Sequence, residues 1–173
     1  MDAETLRTLQ APLKQQYRDK PDAAVITLTA TGDIDDAGIA CKVETGRALV
    51  TAGLHPATGG SGLEACSGDM LLEALIACAG VTLKAVATAI DVELTSAHLR
   101  AEGDLDFRGT LGVDREAPVG FSDIRLTFDV VSDASEEQLA QLLKLTERYC
   151  VVLQTLRSAP PVAATLEVTS ASA

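Results

Sequence analysis

Apolar residues at three- and four-residue spacing open the chain. Leu6, Leu9, Leu13 and Tyr17 predict helix over residues 3–18, with Pro12 disfavouring helical geometry at Ala11 and expected to split the segment into two short helices. Pro21 ends it. From Ala23 to Gly53 the period falls to two: Val25, Thr27 and Thr29 alternate with Ile26, Leu28 and Ala30, Gly32 and Gly38 punctuate, and Thr45-Gly46 has hairpin-turn character, which together predict a three-stranded meander. His55 to Ser67 is a glycine-rich connection, and Ser67 is placed to cap the next helix. The segment from Asp69 to Ile90 is the most apolar helical run in the chain.

Beyond it, Val92–Phe107 and Phe121–Val131 alternate as two long strands joined by the turn-rich residues 108–120. Ser135-Glu136-Glu137-Gln138 has the form of a capping box. The helix it opens carries Leu139, Leu142, Leu143 and Thr146 on one face, and Cys150 continues that face. Pro160-Pro161 stops this helix, Val162–Val168 reads as a last strand, and a short Ser/Ala tail closes the chain. The order is helix, three strands, long helix, two strands, helix, strand. That is an α+β pattern of antiparallel sheets with central helices, without regular βαβ winding. It divides into an N-terminal helical segment (1–22), one domain (23–169) and a tail (170–173).

Composition changes the picture in three ways. The chain's 173 residues suit one domain or one protomer of an intertwined oligomer, and with 47% hydrophobic but only 3% aromatic residues the core must be built from Ala, Leu, Val and Ile. A net charge of -11, with no basic stripe, argues against nucleic acid and anionic membrane as partners. Four cysteines (Cys41, Cys66, Cys78, Cys150) without tight spacing, behind an N-terminus lacking a signal-like apolar stretch, point to reduced thiols in the cytoplasm. Glu73 and Lys84 leave only about ten uncharged residues between them in the long helix, against the roughly 20 of a membrane span. A core helix is the expectation.

Candidate chemistry is sparse. On a helical wheel Leu71, Ala74, Thr82 and Ala85 lie within about 40° of Cys78, while Asp69, Glu73, Lys84 and Asp91 form a polar edge opposite. Periodicity alone leaves Cys78 open between an ordinary buried thiol and a reactive one. Cys41, Cys66, Cys78, Cys150, His55 and His98 show no metal-ligand spacing, so no metal is expected. The stretch Gly59-Gly60-Ser61-Gly62 lacks the Lys-Ser/Thr and strand–loop–helix context of a phosphate loop and reads as flexible connection, and Cys66 within this loop as incidental.

The context Ser67-GDMLLEALIACAGVTLKAVA resembles the cysteine helix of the OsmC/Ohr family of thiol-dependent hydroperoxide reductases, and Glu147-RYCVVLQTL resembles its second cysteine segment. With the element order, the resemblance covers about 150 residues. It implies the OsmC-like form of the α+β class, antiparallel sheets wrapped around central helices in an intertwined homodimer, with each site at the subunit interface and no cofactor. It implies Cys78 as the thiolate that attacks an organic hydroperoxide and Cys150 as the resolving thiol, with an external dithiol reopening the disulfide. It further implies an N-terminal arginine that lowers the Cys78 pKa, for which Arg18 is the candidate and Arg47 the alternative, and an acidic residue near the start of the cysteine helix, for which Asp69 stands closest. Two departures place the chain among the broader OsmC-like relatives: Val-Val follows Cys150 where a proline is common, and Ser67-Gly68-Asp69 stands where Asn-Pro-Glu is expected. Two function classes emerge, a cysteine-based hydroperoxide reductase and a binding or redox-sensing protein that keeps the fold and its apolar pocket without efficient turnover.

Overall fold

The computed structural model describes residues 2–20, 31–34, 40–44, 49–112 and 114–168. At its centre is α2 (Ser67–Ala89), 23 residues long. By length and composition this helix could cross a membrane. Here one stripe of it, Leu75, Ala79, Leu83, Val86 and Ala87, is core instead. The helix ends where Asp91 takes a left-handed conformation (φ 59°) and the Val92 N–H donates to the Ala87 carbonyl at 2.9 Å, closing its last turn.

Before α2 come α1 (Ala3–Asp19) and the strands β1 (Thr31–Ile34), β2 (Ala40–Glu44), β3 (Leu49–Gly53) and β4 (Ala65–Cys66). The expected meander forms: β1–β2 and β2–β3 pair antiparallel, with Glu44 opposite Leu49 flanking the expected hairpin turn. The turn itself and the Val25–Ala30 alternation lie outside the described residues. Two expectations change. Helix α1 runs unbroken through Pro12, since a proline removes one backbone donor and the helix, which packs against α2, keeps the rest of its ladder. The cap of α2 is Cys66, not Ser67. Cys66 is held in extended conformation by β4, which pairs parallel to β3, so the helix starts directly at the strand end with no side-chain cap.

After α2, β5 (Ser96–Leu105) and β6 (Phe121–Val131) form an antiparallel ribbon, connected through the short helix α3 (Phe107–Thr110). Its alternation gives one inward row, in which Leu99 pairs with Phe128 and Ala101 with Leu126. Against this row lie α4 (Glu136–Tyr149) and α5 (Val151–Arg157). The capping box of α4 is complete: the Gln138 N–H donates to Ser135 Oγ at 3.3 Å and the Ser135 N–H to Gln138 Oε1 at 3.0 Å. Two clusters make the core, one around Leu83, Val86, Val92 and Leu142, the other around Leu75, Ala79 and Cys150. Full burial of each leucine stabilises by about 2 kcal/mol.

The last expected strand is absent. Residues Val162, Leu166 and Val168 are 89%, 87% and 81% exposed and pair with nothing among the described residues. An alternating segment becomes a strand only where it meets a sheet edge, and among the described residues this segment meets none.

Candidate active site

Cys78 rises from the middle of α2, one helical step from the buried Leu75–Ala79 stripe, and is partly buried. Its own stripe is less covered than the wheel suggested, with Leu71 37% exposed at its end. The thiol is therefore at a boundary, one side packed and one side open. Cys150 is fully buried beside it. The helix expected to run through Cys150 breaks there: Cys150 is extended (φ −72°, ψ 106°), closing α4 and capping α5. The break turns the thiol inward onto Leu75 and Ala79 and starts α5 against Cys78.

Cys78 packs against the cluster that buries Cys150, and each thiol shifts the ionisation of the other. Burial pushes the Cys78 pKa upward, but the Val152 N–H, the Cys150 S–H, the Val151 N–H and the Thr82 hydroxyl all favour the thiolate, and the net direction is down. Cys150 moves the opposite way: burial raises it, and the neighbouring Cys78 charge raises it further against the Leu153 N–H. The pair thus divides into one thiol that ionises readily and one that keeps its proton. Both are reduced. The donors that lower Cys78 include two peptide N–H groups of the first turn of α5, which side-chain identity could not reveal. The one signal was the departure at Val151, because a proline there has no N–H to give.

Of the other expected residues, Arg18 stands in the last turn of α1. Its side chain lies outside the described residues, as do Arg47 and the side chain of Cys41. Asp69 is exposed in the first turn of α2, nine residues before Cys78, or about 13 Å of helical rise. It borders a small cleft with His55, Cys66, Gly103 and Phe107 and is not brought to the thiol pair. His55 stacks on Phe107 with ring centroids 4.9 Å apart. Among the described residues no group of three His, Cys, Asp or Glu gathers as a metal site requires.

A cavity of about 820 Å³ lies between β6 and α4–α5. Leu75, Ile124, Leu126, Phe128, Leu153 and Leu156 line it and also belong to or pack against the cluster of Leu75, Ala79 and Cys150, so cavity and thiols share an apolar wall although neither cysteine lines the cavity. Glu147 and Arg157, paired at 2.9 Å, stand at its edge.

An α+β protein with two vicinal thiols of opposed acidity on a central apolar helix is the class these features define. The chain belongs to the OsmC-like protein family, whose model matches residues 60–165. Solved structures agree on the fold. The OsmC-like protein of Mycoplasma pneumoniae is 17% identical with a TM-score of 0.64, covering 78% of this chain and 89% of its own. An organic hydroperoxide resistance protein of Elizabethkingia anophelis is 15% identical, TM-score 0.61, over 79% and 91% of the two chains. An organic hydroperoxide resistance protein, OsmC, of Legionella pneumophila is 16% identical, TM-score 0.60, over 78% and 92%. No curated protein sequence matches the chain.

Proposed function

We propose that the protein reduces organic hydroperoxides through Cys78 and Cys150. The observation that carries this reading is the packing of Cys78, whose surroundings lower its pKa, against the cluster that buries Cys150, whose surroundings raise it. The Cys78 thiolate attacks the distal peroxide oxygen: an S–O bond forms, the O–O bond breaks, the alcohol leaves with a proton, and Cys78 becomes a sulfenic acid. Cys150 then attacks the Cys78 sulfur, the S–S bond forms, and the hydroxyl departs as water with the Cys150 proton. An external dithiol reopens the disulfide and is itself oxidised. The high pKa of Cys150 suits this order, since it contributes no competing negative charge beside Cys78 in the resting state. The apolar wall shared with the cavity favours a substrate with a hydrocarbon body.

Arg18 is the cation we assign to the site, supported by α1 packing against α2, and Asp69 its acidic anchor. The protein acts as a homodimer in a reducing, cytoplasmic setting. Exposure of Val81 (74%) on the central helix and of the unpaired Val162–Val168 segment supports a second copy covering both. A second reading, an apolar-ligand carrier without turnover, draws on the cavity holding neither sulfur. Consumption of cumene hydroperoxide with dithiothreitol decides between them: the wild type turns over and Cys78→Ser loses at least about a hundredfold, whereas equal rates remove the enzyme reading.

A further inference from the structure

Cys150 belongs to the hydrogen-bond ladders of two helices that meet out of line. Its N–H donates to the Thr146 carbonyl at 2.9 Å, and its carbonyl accepts from the Gln154 N–H, also at 2.9 Å. Its φ of −72° is helical, so the single angle that ends α4 is its ψ of 106°. That angle has a definite consequence. In an uninterrupted helix the Val151 N–H would donate to the Glu147 carbonyl four residues back, and the bend at Cys150 takes this donor away. The carbonyl is occupied all the same, because the Gln154 side-chain amide donates to it at 2.7 Å. The Glu147 carboxylate reaches the same helix, accepting from Arg157 at 2.9 Å. One residue of α4 is thus tied twice to α5.

We propose that Gln154 is a positioning residue for the thiol pair, replacing the peptide donor that the bend removes and so holding α5 at its angle to α4. The inference rests on the reading that Cys78 and Cys150 form a disulfide, and deepens it. Val152, Leu153 and Leu156 of α5 pack, as Cys78 does, against the cluster of Leu75, Ala79 and Cys150. The competing conformation is the straight helix, which returns the Val151 N–H to the Glu147 carbonyl and lays α5 along the α4 axis instead. Gln154 weighs against it by satisfying that carbonyl in the bent form. The disulfide, once closed, ties Cys150 to α2 by itself. Loss of the Gln154 donor is therefore felt in the dithiol form, where conformations with α5 displaced present the sulfurs to each other less often. Gln154 is exposed, so water competes for the carbonyl and the effect belongs at the low end of a hydrogen bond's net worth.

The test equilibrates the full-length protein with mixtures of oxidised and reduced dithiothreitol, quenches in acid, and counts joined Cys78 and Cys150 fragments by mass spectrometry. Two protein thiols become a disulfide as the oxidised reagent opens to its dithiol, so no peroxide enters and failure of peroxide turnover is a separate result. Gln154→Met, of similar length without a donor, should shift the exchange constant about threefold toward the dithiol form. Gln154→Lys, which keeps a donor on a long side chain, should stay within the wild-type value. Arg125→Ala, which breaks the Asp104 ion pair on the β5–β6 ribbon, should also leave the constant unchanged. An unshifted constant in Gln154→Met, or an equal shift in Gln154→Lys or Arg125→Ala, overturns the inference. A wild type that joins no Cys78 and Cys150 fragments overturns it together with the resolving role of Cys150.

Discussion

Cys78 and Cys150 are chemically alike in isolation, and their surroundings alone set them apart. Polar groups of α5, Cys150 and Thr82 favour the thiolate at half-open Cys78, and Cys150 is buried in the cluster with Leu75 and Ala79 beside the charge that Cys78 acquires. A lowered pKa means that thiolate persists as pH falls below the ordinary thiol range, so limited alkylation near neutral pH should label Cys78 first and Cys150 last; quantitative mass spectrometry of the labelled sites measures the order. The helical wheel was enough to place Cys78 beside Thr82, but the help that the Val151 and Val152 N–H groups give the thiolate depends on where α5 starts, which no wheel contains. Thr146 offers a separate test at this scale. Its hydroxyl is fully buried on α4 with no hydrogen-bond partner among the described residues, so Thr146→Val, similar in shape, should raise the urea midpoint by an amount equivalent to about 1 kcal/mol. A lowered midpoint would mean that the hydroxyl has a role the fold does not display.

Among the elements, those with local signals were legible. Ser135 and Gln138 wrote the start of α4, and β5 and β6 form where alternation put them, with Ile124, Leu126, Phe128 and Val130 facing the core and the register slipping only near Phe121. The break at Cys150 was not, because no glycine or proline marks it; the chain bends there so that Cys150 can enter the cluster with Leu75 and Ala79. That break makes Val151 the first residue of α5, a position where proline fits, and Cys150 already has the extended backbone that a following proline requires. Val151→Pro should therefore fold normally yet remove one donor from the Cys78 sulfur, moving its alkylation inflection to higher pH, while Val151→Ala keeps the N–H and the inflection. An unmoved inflection in the proline variant would show that this amide does not help hold the thiolate.

For the whole molecule, the fold class followed from element order, whereas the fate of Val162–Val168 did not, because a strand needs an edge and sequence alone does not say which chain supplies it. The exposed Leu71 and Val81 on the central helix raise the same question. A dimer is expected by light scattering at micromolar concentration, and truncation after Pro161 should weaken it; a stable wild-type monomer would leave these surfaces unexplained. The functional account rests on the two thiols reacting with each other. Treating the reduced protein with one equivalent of cumene hydroperoxide and measuring its intact and fragment masses without reductant tests this most directly. The account predicts loss of two hydrogens per chain with the fragments bearing Cys78 and Cys150 joined; unchanged mass, or added oxygen on Cys78 with Cys150 still free, would contradict it.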